Sequence, residues 1–328
     1  MHALPEFTLR RPASLDEAAA LLADDPQARL IAGGTDLLPN LRRGLERPAL
    51  LIDLSGVPNF AGVEVTAAGE LVLGSGVTLG TIANDPAINA RAPALGEAAR
   101  CAAAPTHRGA ATLGGNLCQD TRCVFYNQSE WWRASNGYCL KRGGTVCHVA
   151  PQGHRCHAAF CSDLAPVLLA LGAQVELQSG SGTRTLPLPD LYRDDGAAHL
   201  TLGRNELLAR VRVPPAPPGQ ASGYRKSRVR QSIDFPLAGV AIAAVLDGGI
   251  VRSLRVGLTG TNSHPLLLAG TDAFAGQPVD DELLRKLGKL VQQQVSPMRS
   301  TVTASNYRRQ VAATMTQRLL RELAGALR

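Results

Sequence analysis

All seven cysteines of this 328-residue chain (Cys101, Cys118, Cys123, Cys139, Cys147, Cys156 and Cys161) fall within 61 residues, and the other 267 have none. The count is odd, and the start, Met-His-Ala-Leu-Pro-Glu-Phe, has neither a basic n-region nor an apolar h-region. Both features argue against a secreted disulfide framework. Clustered thiols in a cytoplasmic chain point to metal. A [4Fe-4S] cluster needs four thiolates, and Cys123, Cys139, Cys147 and Cys156 stand at gaps of 15, 7 and 8 residues in one polar, loop-like stretch. Zinc would usually show paired C-x-x-C hooks, which do not occur, although His148, His154 and His157 keep a mixed Cys/His zinc site open. Cys101, Cys118 and Cys161 are expected to be non-ligands, but Cys118 and Cys161 stand close enough to trade places with one of the four.

The same stretch holds Phe125, Tyr126, Trp131, Trp132 and Tyr138, five of the chain's 13 aromatics. A loop this long needs a small core of its own, so these rings are expected to pack around the cluster and keep water from it. Elsewhere the chain is ordinary for a protein of two or three compact units, with 45% hydrophobic residues. Its longest apolar run, over 238–246, is far short of the roughly 20 residues a membrane span needs. Net charge is +7, with basic residues gathered at Arg225, Lys226, Arg228 and Arg230. Aromatics are not interleaved with them and no nucleic-acid motif appears, so neither nucleic acid nor a membrane is an expected partner. A solvated face, a partner subunit or an anionic cofactor suits these charges better.

Ser14-Leu-Asp-Glu17 reads as a capping box opening a helix over 18–22. A short strand over 29–32, Gly33-Gly34-Thr35-Asp36, a second helix through Leu41 and a strand over 49–54 complete a small α/β subdomain, 1–55. Residues 63–78 alternate and turn at Ala67-Ala-Gly69, as a hairpin does. A helix is expected over 97–103 and another over 163–171, followed by a strand over 173–178. Pro214-Pro-Ala-Pro-Pro218 is a rigid linker that closes a second subdomain, 56–216, and opens a C-terminal domain, 217–328. There, strands over 238–246 and 251–258 flank Asp247-Gly-Gly249, and helices over 280–294 and 304–327 end the chain.

Gly33-Gly34-Thr35 lies between a strand and a helix, where backbone N–H groups can approach an anion such as a diphosphate. Taken alone it reads first as an ordinary tight turn between strand and helix. A second glycine turn, Thr112-Leu-Gly-Gly-Asn116, adds hydroxyl and amide groups suited to a ribityl chain or a phosphate. Leu73-Gly-Ser-Gly-Val-Thr-Leu-Gly80 has the spacing G-x-G-x-x-x-G and no clear long helix behind it. It reads as strand and turn, which excludes a nicotinamide Rossmann site.

Ile31-Ala-Gly-Gly-Thr-Asp36, Thr112-Leu-Gly-Gly-Asn116 and Ser162-Asp-Leu-Ala-Pro166, in that order, resemble the signature of the FAD-binding subunits of molybdenum hydroxylases, which include xanthine and carbon monoxide dehydrogenases. The likeness spans nearly the whole chain. It implies an α+β fold: a two-subdomain, PCMH-like FAD-binding domain followed by a smaller α+β domain with a three-stranded sheet and helices. It also implies FAD held by Leu30, Ile31, Ala32, Gly33, Gly34, Thr35, Asp36 and Leu37 at the diphosphate and by Ala111, Thr112, Gly115 and Asn116 at the diphosphate and ribityl region. Ser162 and Asp163 would stand near the flavin chain and Lys226 near the isoalloxazine.

In most of that family the Gly-Gly-Asn turn and the Asp-Leu segment lie close together, whereas here 46 residues separate Asn116 from Asp163. This insertion, at about 117–160, resembles that of the β subunits of 4-hydroxybenzoyl-CoA reductases, a branch of the family. That resemblance implies electron flow from ferredoxin to a [4Fe-4S] cluster, then FAD, then a partner's [2Fe-2S] clusters and a molybdopterin-binding large subunit, in a dimer of heterotrimers. The alternatives are the FAD subunit of another molybdenum hydroxylase or a stand-alone flavin oxidoreductase. No Ser/His/Asp triad or paired-carboxylate site is visible, as expected if substrate chemistry belongs to another subunit.

Overall fold

The computed structural model describes residues 3–299 and 303–326. Its first unit contains β1 (Thr8–Arg10), α1 (Leu15–Asp24), β2 (Arg29–Ile31), α2 (Leu37–Arg42) and β3 (Leu50–Asp53), with the strands parallel in the order β1-β3-β2. Strand β1 has no signal of its own in the sequence. Its three side chains are exposed, and only pairing with β3 makes it a strand. The Ser14 hydroxyl accepts the N–H of Glu17 at 3.1 Å, while the Glu17 carboxylate reaches back to the N–H of Ala13 at 2.6 Å. That reciprocal cap lets α1 run longer than its apolar residues suggest.

The second unit begins with the expected hairpin, β4 (Val63–Val65) and β5 (Leu71–Gly74). A run of short helices follows: α3 (Leu79–Asn84), α4 (Pro86–Arg91), α5 (Pro93–Cys101), α6 (Pro105–Ala110) and α7 (Leu113–Leu117). The structure corrects the sequence reading here. Thr78 caps a six-residue helix where strand and turn are expected, and α5 starts four residues before 97. The prolines explain the fragmentation. Each fits the first turn of a helix but cannot continue the previous one, so Pro86, Pro93 and Pro105 divide the segment. The inserted stretch carries one short helix, α8 (Glu130–Ser135), and then come α9 (Leu164–Ala170), β6 (Gln174–Ser179), β7 (Gly182–Pro187) and β8 (Leu207–Val213). Antiparallel pairing gives the sheet order β4-β5-β8-β6-β7.

The last unit is an antiparallel sheet of β9 (Gln220–Ser227), β10 (Ala238–Asp247), β11 (Ile250–Thr259) and β12 (Leu266–Leu267), in the order β12-β11-β10-β9. The three long strands match the expected three-stranded sheet, and the two-residue β12 is a fourth at the edge. Helices α10 (Asp281–Gln294) and α11 (Ser305–Ala326) cover one face, and the expected helix end at Leu327 lies outside the described residues. Strand β10 has apolar side chains on both faces. Val240, Ile242, Ala244 and Leu246 join the core under the helices, while Ala241 and Ala243 face α9 and the second unit. Alanines on that side bring the backbones close. A Cβ at Gly257 of β11 would stand 2.0 Å from the Pro166 carbonyl oxygen of α9, so only glycine fits this contact. The contact locks the C-terminal sheet beside Asp163 and thus fixes one end of the site.

Candidate functional site

Two adjoining cavities of about 390 and 230 Å3 form one elongated cleft, with Thr35, Asp36, Gly115 and Gln119 lining both. Of the sequence-predicted residues, Leu30 to Leu37 and Thr112 line the larger lobe, and Ala111, Asn116, Asp163 and Lys226 line the smaller. Ser162 lines neither. It is fully buried behind the cleft, where its hydroxyl donates to Asn116 Oδ1 at 2.7 Å and accepts the N–H of Ala165 at 2.9 Å.

The two glycine turns are chemically unlike. In the second, the N–H of Leu113 goes to Val77 O, Gly114 to Ser75 O, Gly115 to Thr112 Oγ1 and Asn116 to Thr112 O. Its backbone donors are spent on the turn itself, so it supplies a wall and the free amide N–H2 of Asn116 rather than an anion cradle. Among the described residues, by contrast, the N–H groups of Gly33, Gly34 and Thr35 donate to nothing. Three unpartnered donors in front of α2 are what a diphosphate needs. A Cβ at Gly33 would lie 1.8 Å from the Ala110 carbonyl oxygen, so glycine there lets the turn approach the 110–112 segment. Asp36 braces the corner: it pairs with Arg122, and its Oδ2 accepts the N–H of Asp120 at 3.0 Å.

Several lining residues escaped the sequence reading. Ser75, set aside with the rejected dinucleotide motif, is fully buried and lines the larger lobe, and its hydroxyl has no partner. A buried hydroxyl without a partner, in a residue that lines a cavity, suits a polar ligand atom. Thus the free donors and this orphan fit a phosphate-bearing, elongated cofactor. Cys118 lines the same lobe, its thiol pushed up to about 12 by burial, and Cys161 lines the smaller lobe at about 11, also through burial.

His199 is another unforeseen wall residue, 8% exposed, with Nε2 2.9 Å from Gln119 O. Burial first, then the ammonium of Lys141, push its pKa down to about 4. Because the unfolded chain takes up this proton near pH 6.5 and the folded one only near 4, the stability contributed by neutral His199 is intact above about 6.5 and is lost as pH falls through that window. His199→Gln is therefore expected to lose about 3 kcal/mol less than the parent chain between pH 6.5 and 4, read from urea unfolding. Equal losses in both proteins would contradict this.

The far end of the smaller lobe is built by the C-terminal unit. Lys226 Nζ, 2% exposed, pairs with Asp163 Oδ2 at 2.9 Å, and the Tyr224 hydroxyl donates to Asp163 Oδ1 at 2.6 Å. Burial, then the charge of Asp163, push Tyr224 well above its ordinary range. The other basic residues of this run are also engaged. Arg225 pairs with Glu97 and Glu322, Arg228 donates to Cys101 O, and Arg230 pairs with Asp234. The run ties units together rather than offering a free cationic face.

Cys123, Cys139, Cys147 and Cys156 line one separate pocket, with Phe125, Tyr126, Lys141 and His148 around them, and none of the other three cysteines line it. One sulfur-directed N–H is in place, that of Ala158 to Cys156 Sγ at 3.4 Å. Four thiols are the donor type that an iron–sulfur cluster takes. The cavity itself is tight, about 10 Å3, and among the described residues no group of three His, Cys, Asp or Glu is set to grip a single ion. As placed, the four thiols leave no room for a cluster between them. His148 has Nε2 2.5 Å from Tyr138 O and stacks on Phe125, so that ring nitrogen is already engaged. The expected aromatic core is only partly realised. Phe125 and Tyr126 line the pocket and Trp132 packs on Phe125, but Trp131 is 76% exposed, and Tyr138 points its hydroxyl at Glu130.

Comparison with known proteins decides the family. Residues 5–216 match the FAD binding domain in molybdopterin dehydrogenase, and residues 222–323 the CO dehydrogenase flavoprotein C-terminal domain. The chain belongs to the FAD-binding subunits of the molybdenum hydroxylase family. It is 34% identical to the aldehyde oxidoreductase FAD-binding subunit of Escherichia coli (strain K12), over 83% of this chain and 86% of that one. To the carbon monoxide dehydrogenase medium chain of Hydrogenophaga pseudoflava it is 25% identical, over 96% of each. A solved Cu,Mo-CO dehydrogenase chain superposes with a TM-score of 0.81 at 25% identity, covering 99% of this chain and all of that one. As a molybdenum hydroxylase flavoprotein the chain is an oxidoreductase subunit that binds FAD, and the cleft is the cavity its shape and donors suit. Among the described residues, no helix is long and apolar enough to cross a membrane.

Proposed function

We propose that this chain is the FAD subunit of a molybdenum hydroxylase complex, of the kind that acts on xanthine, aldehydes or carbon monoxide, and that it relays electrons for partner subunits. The observation that carries this reading is the two-lobed cleft, with free N–H donors at Gly33 to Thr35 at one end and the Asp163–Lys226 pair at the other. FAD, when bound, supplies the exchange between two-electron and one-electron carriers. The chain's part is to grip the diphosphate at Gly33 to Thr35, fill the larger lobe against Ser75 and His199, and hold Lys226 fixed by Asp163 and Tyr224 near the ring. The partners are a molybdopterin-binding large subunit and a [2Fe-2S] small subunit. The purified flavin-loaded chain is expected to reduce artificial dyes but not to transform an aromatic acyl-CoA, an aldehyde or a purine, and adding both partners should restore turnover. Robust substrate turnover by the single chain would sink the relay.

The four thiols clustered in the inserted stretch support a finer reading within this one. Here Cys123, Cys139, Cys147 and Cys156 hold a [4Fe-4S] cluster, electrons enter from ferredoxin, and the complex is a dimer of heterotrimers of the 4-hydroxybenzoyl-CoA reductase type. Its large partner removes the phenolic hydroxyl of the acyl-CoA.

A further inference from the structure

We propose that the inserted stretch sets the charge balance of the flavin cleft: its Arg122 and Lys141 neutralise the Asp36 and Asp120 carboxylates, and so let the larger lobe accept a dianionic diphosphate. The inference rests on the reading that FAD lies in this cleft with its diphosphate at Gly33 to Thr35. Of the charged residues lining the larger lobe, Arg29 is paired with Glu46 at 2.5 Å. Burial holds His199 neutral. That leaves Asp36 and Asp120 as two carboxylates with no cation of the lobe to offset them. They stand close together, since Asp36 Oδ2 accepts the Asp120 N–H at 3.0 Å. A phosphate brought to the free N–H groups beside Asp36 would meet both charges.

Both counter-charges come from the insertion, and neither lines that lobe. Arg122 is clamped by an isolated antiparallel bridge: its N–H donates to Ala159 O at 2.7 Å, and its carbonyl accepts the Ala159 N–H at 2.8 Å. Residues 122 and 159 lie near the two ends of the insertion, so closure of that loop sets the guanidinium in place. The Arg122 side chain, 11% exposed, pairs with Asp36, donates to Asn40 Oδ1 at 3.3 Å and lies 5.0 Å from the centre of the Phe235 ring, and its Nε is buried without a partner. The Lys141 ammonium lies 2.5 Å from Asp120 Oδ1 and 2.5 Å from Thr121 Oγ1, on a side chain 7% exposed. Water screens little at such burial, so removing either cation leaves a carboxylate whose field reaches the phosphate position. In this role both are positioning residues, acting on the cofactor through Asp36 and Asp120. The charge balance requires no metal at the thiols.

The test is the dissociation constant of FAD, and of riboflavin, which lacks the diphosphate, for the full chain freed of flavin, read from flavin fluorescence. Arg122→Gln and Lys141→Gln are each expected to weaken FAD by on the order of tenfold and to leave riboflavin within about twofold of the parent. Asp120→Asn should tighten FAD, and combining it with Lys141→Gln should return the affinity to near the parent value. A merely structural contact, once removed, would weaken both flavins and would do so in Asp120→Asn as well. That pattern, or an unmoved FAD affinity, overturns the inference. If Arg122→Gln or Lys141→Gln does not fold, the sign of the Asp120→Asn effect decides. Gly33→Val tests the reading beneath. If that variant keeps FAD, the cofactor lies elsewhere. If it loses FAD while the charge variants bind as the parent does, the cleft holds FAD and the charge balance alone is overturned.

Discussion

Gly33→Val is expected to give a folded chain that binds almost no flavin. The added Cβ would stand 1.8 Å from the Ala110 carbonyl oxygen and 2.5 Å from its carbon. Both are backbone atoms, which cannot swing aside as a side chain tip can. Relief must come from separating the 31–36 turn from the 110–112 segment, and the turn and Thr112 both line the larger lobe. The N–H groups of Gly33, Gly34 and Thr35 then no longer converge on one phosphate position. A displacement that costs two charge-assisted hydrogen bonds, each worth about 1.5–3 kcal/mol, lowers affinity by at least roughly a hundredfold. Flavin per chain after gel filtration should fall from near one to below about a tenth, while far-ultraviolet circular dichroism is unchanged. Gly34→Ala makes the useful contrast. Its φ of +68° is uncomfortable for alanine, but the nearest atom is the tip of Leu38 at 2.9 Å, which can turn away. That variant should keep most of its flavin. A folded Gly33→Val chain with stoichiometric FAD would place the cofactor elsewhere.

The second large effect is expected at the thiols. Cys139→Ser or Cys147→Ser removes a soft ligand that iron requires and substitutes a hard, protonated hydroxyl. Iron and acid-labile sulfide, about four of each per chain in the anaerobically purified parent, should be lost together with the broad visible absorption. FAD should remain, because the thiol pocket and the flavin cleft have no lining residue in common. Cys101→Ser is expected to leave the iron in place. One zinc and no sulfide in the parent would instead favour a structural metal. Unchanged iron in both variants would move the ligand role to Cys118 or Cys161, although these stand in the flavin cleft with thiols raised by burial.

Local chemistry is what the sequence alone could reveal. The cap at Ser14 and Glu17, the two-glycine turn at Gly248 and Gly249 between β10 and β11, and the strand-turn-helix around Gly33 depend on neighbours in the chain, so their residue types announce them. The four thiols were legible for the same reason, being unusual residues close together in sequence. Tertiary structure decided the rest. Strand β1 exists only because β3 pairs with it, and Ser75 and His199 become cleft walls only when β5 and the loop before β8 fold over Thr112 and Gln119. Sequence likeness implies that Thr112 to Asn116 stand beside the cofactor, but only the folded turn shows that its N–H groups are consumed internally while those of Gly33 to Thr35 stay free. A residue type states what a group can bond to. Which bonds it makes depends on partners dozens of residues away, such as Asp36 with Asp120 or Asp163 with Lys226, and packing alone brings those together.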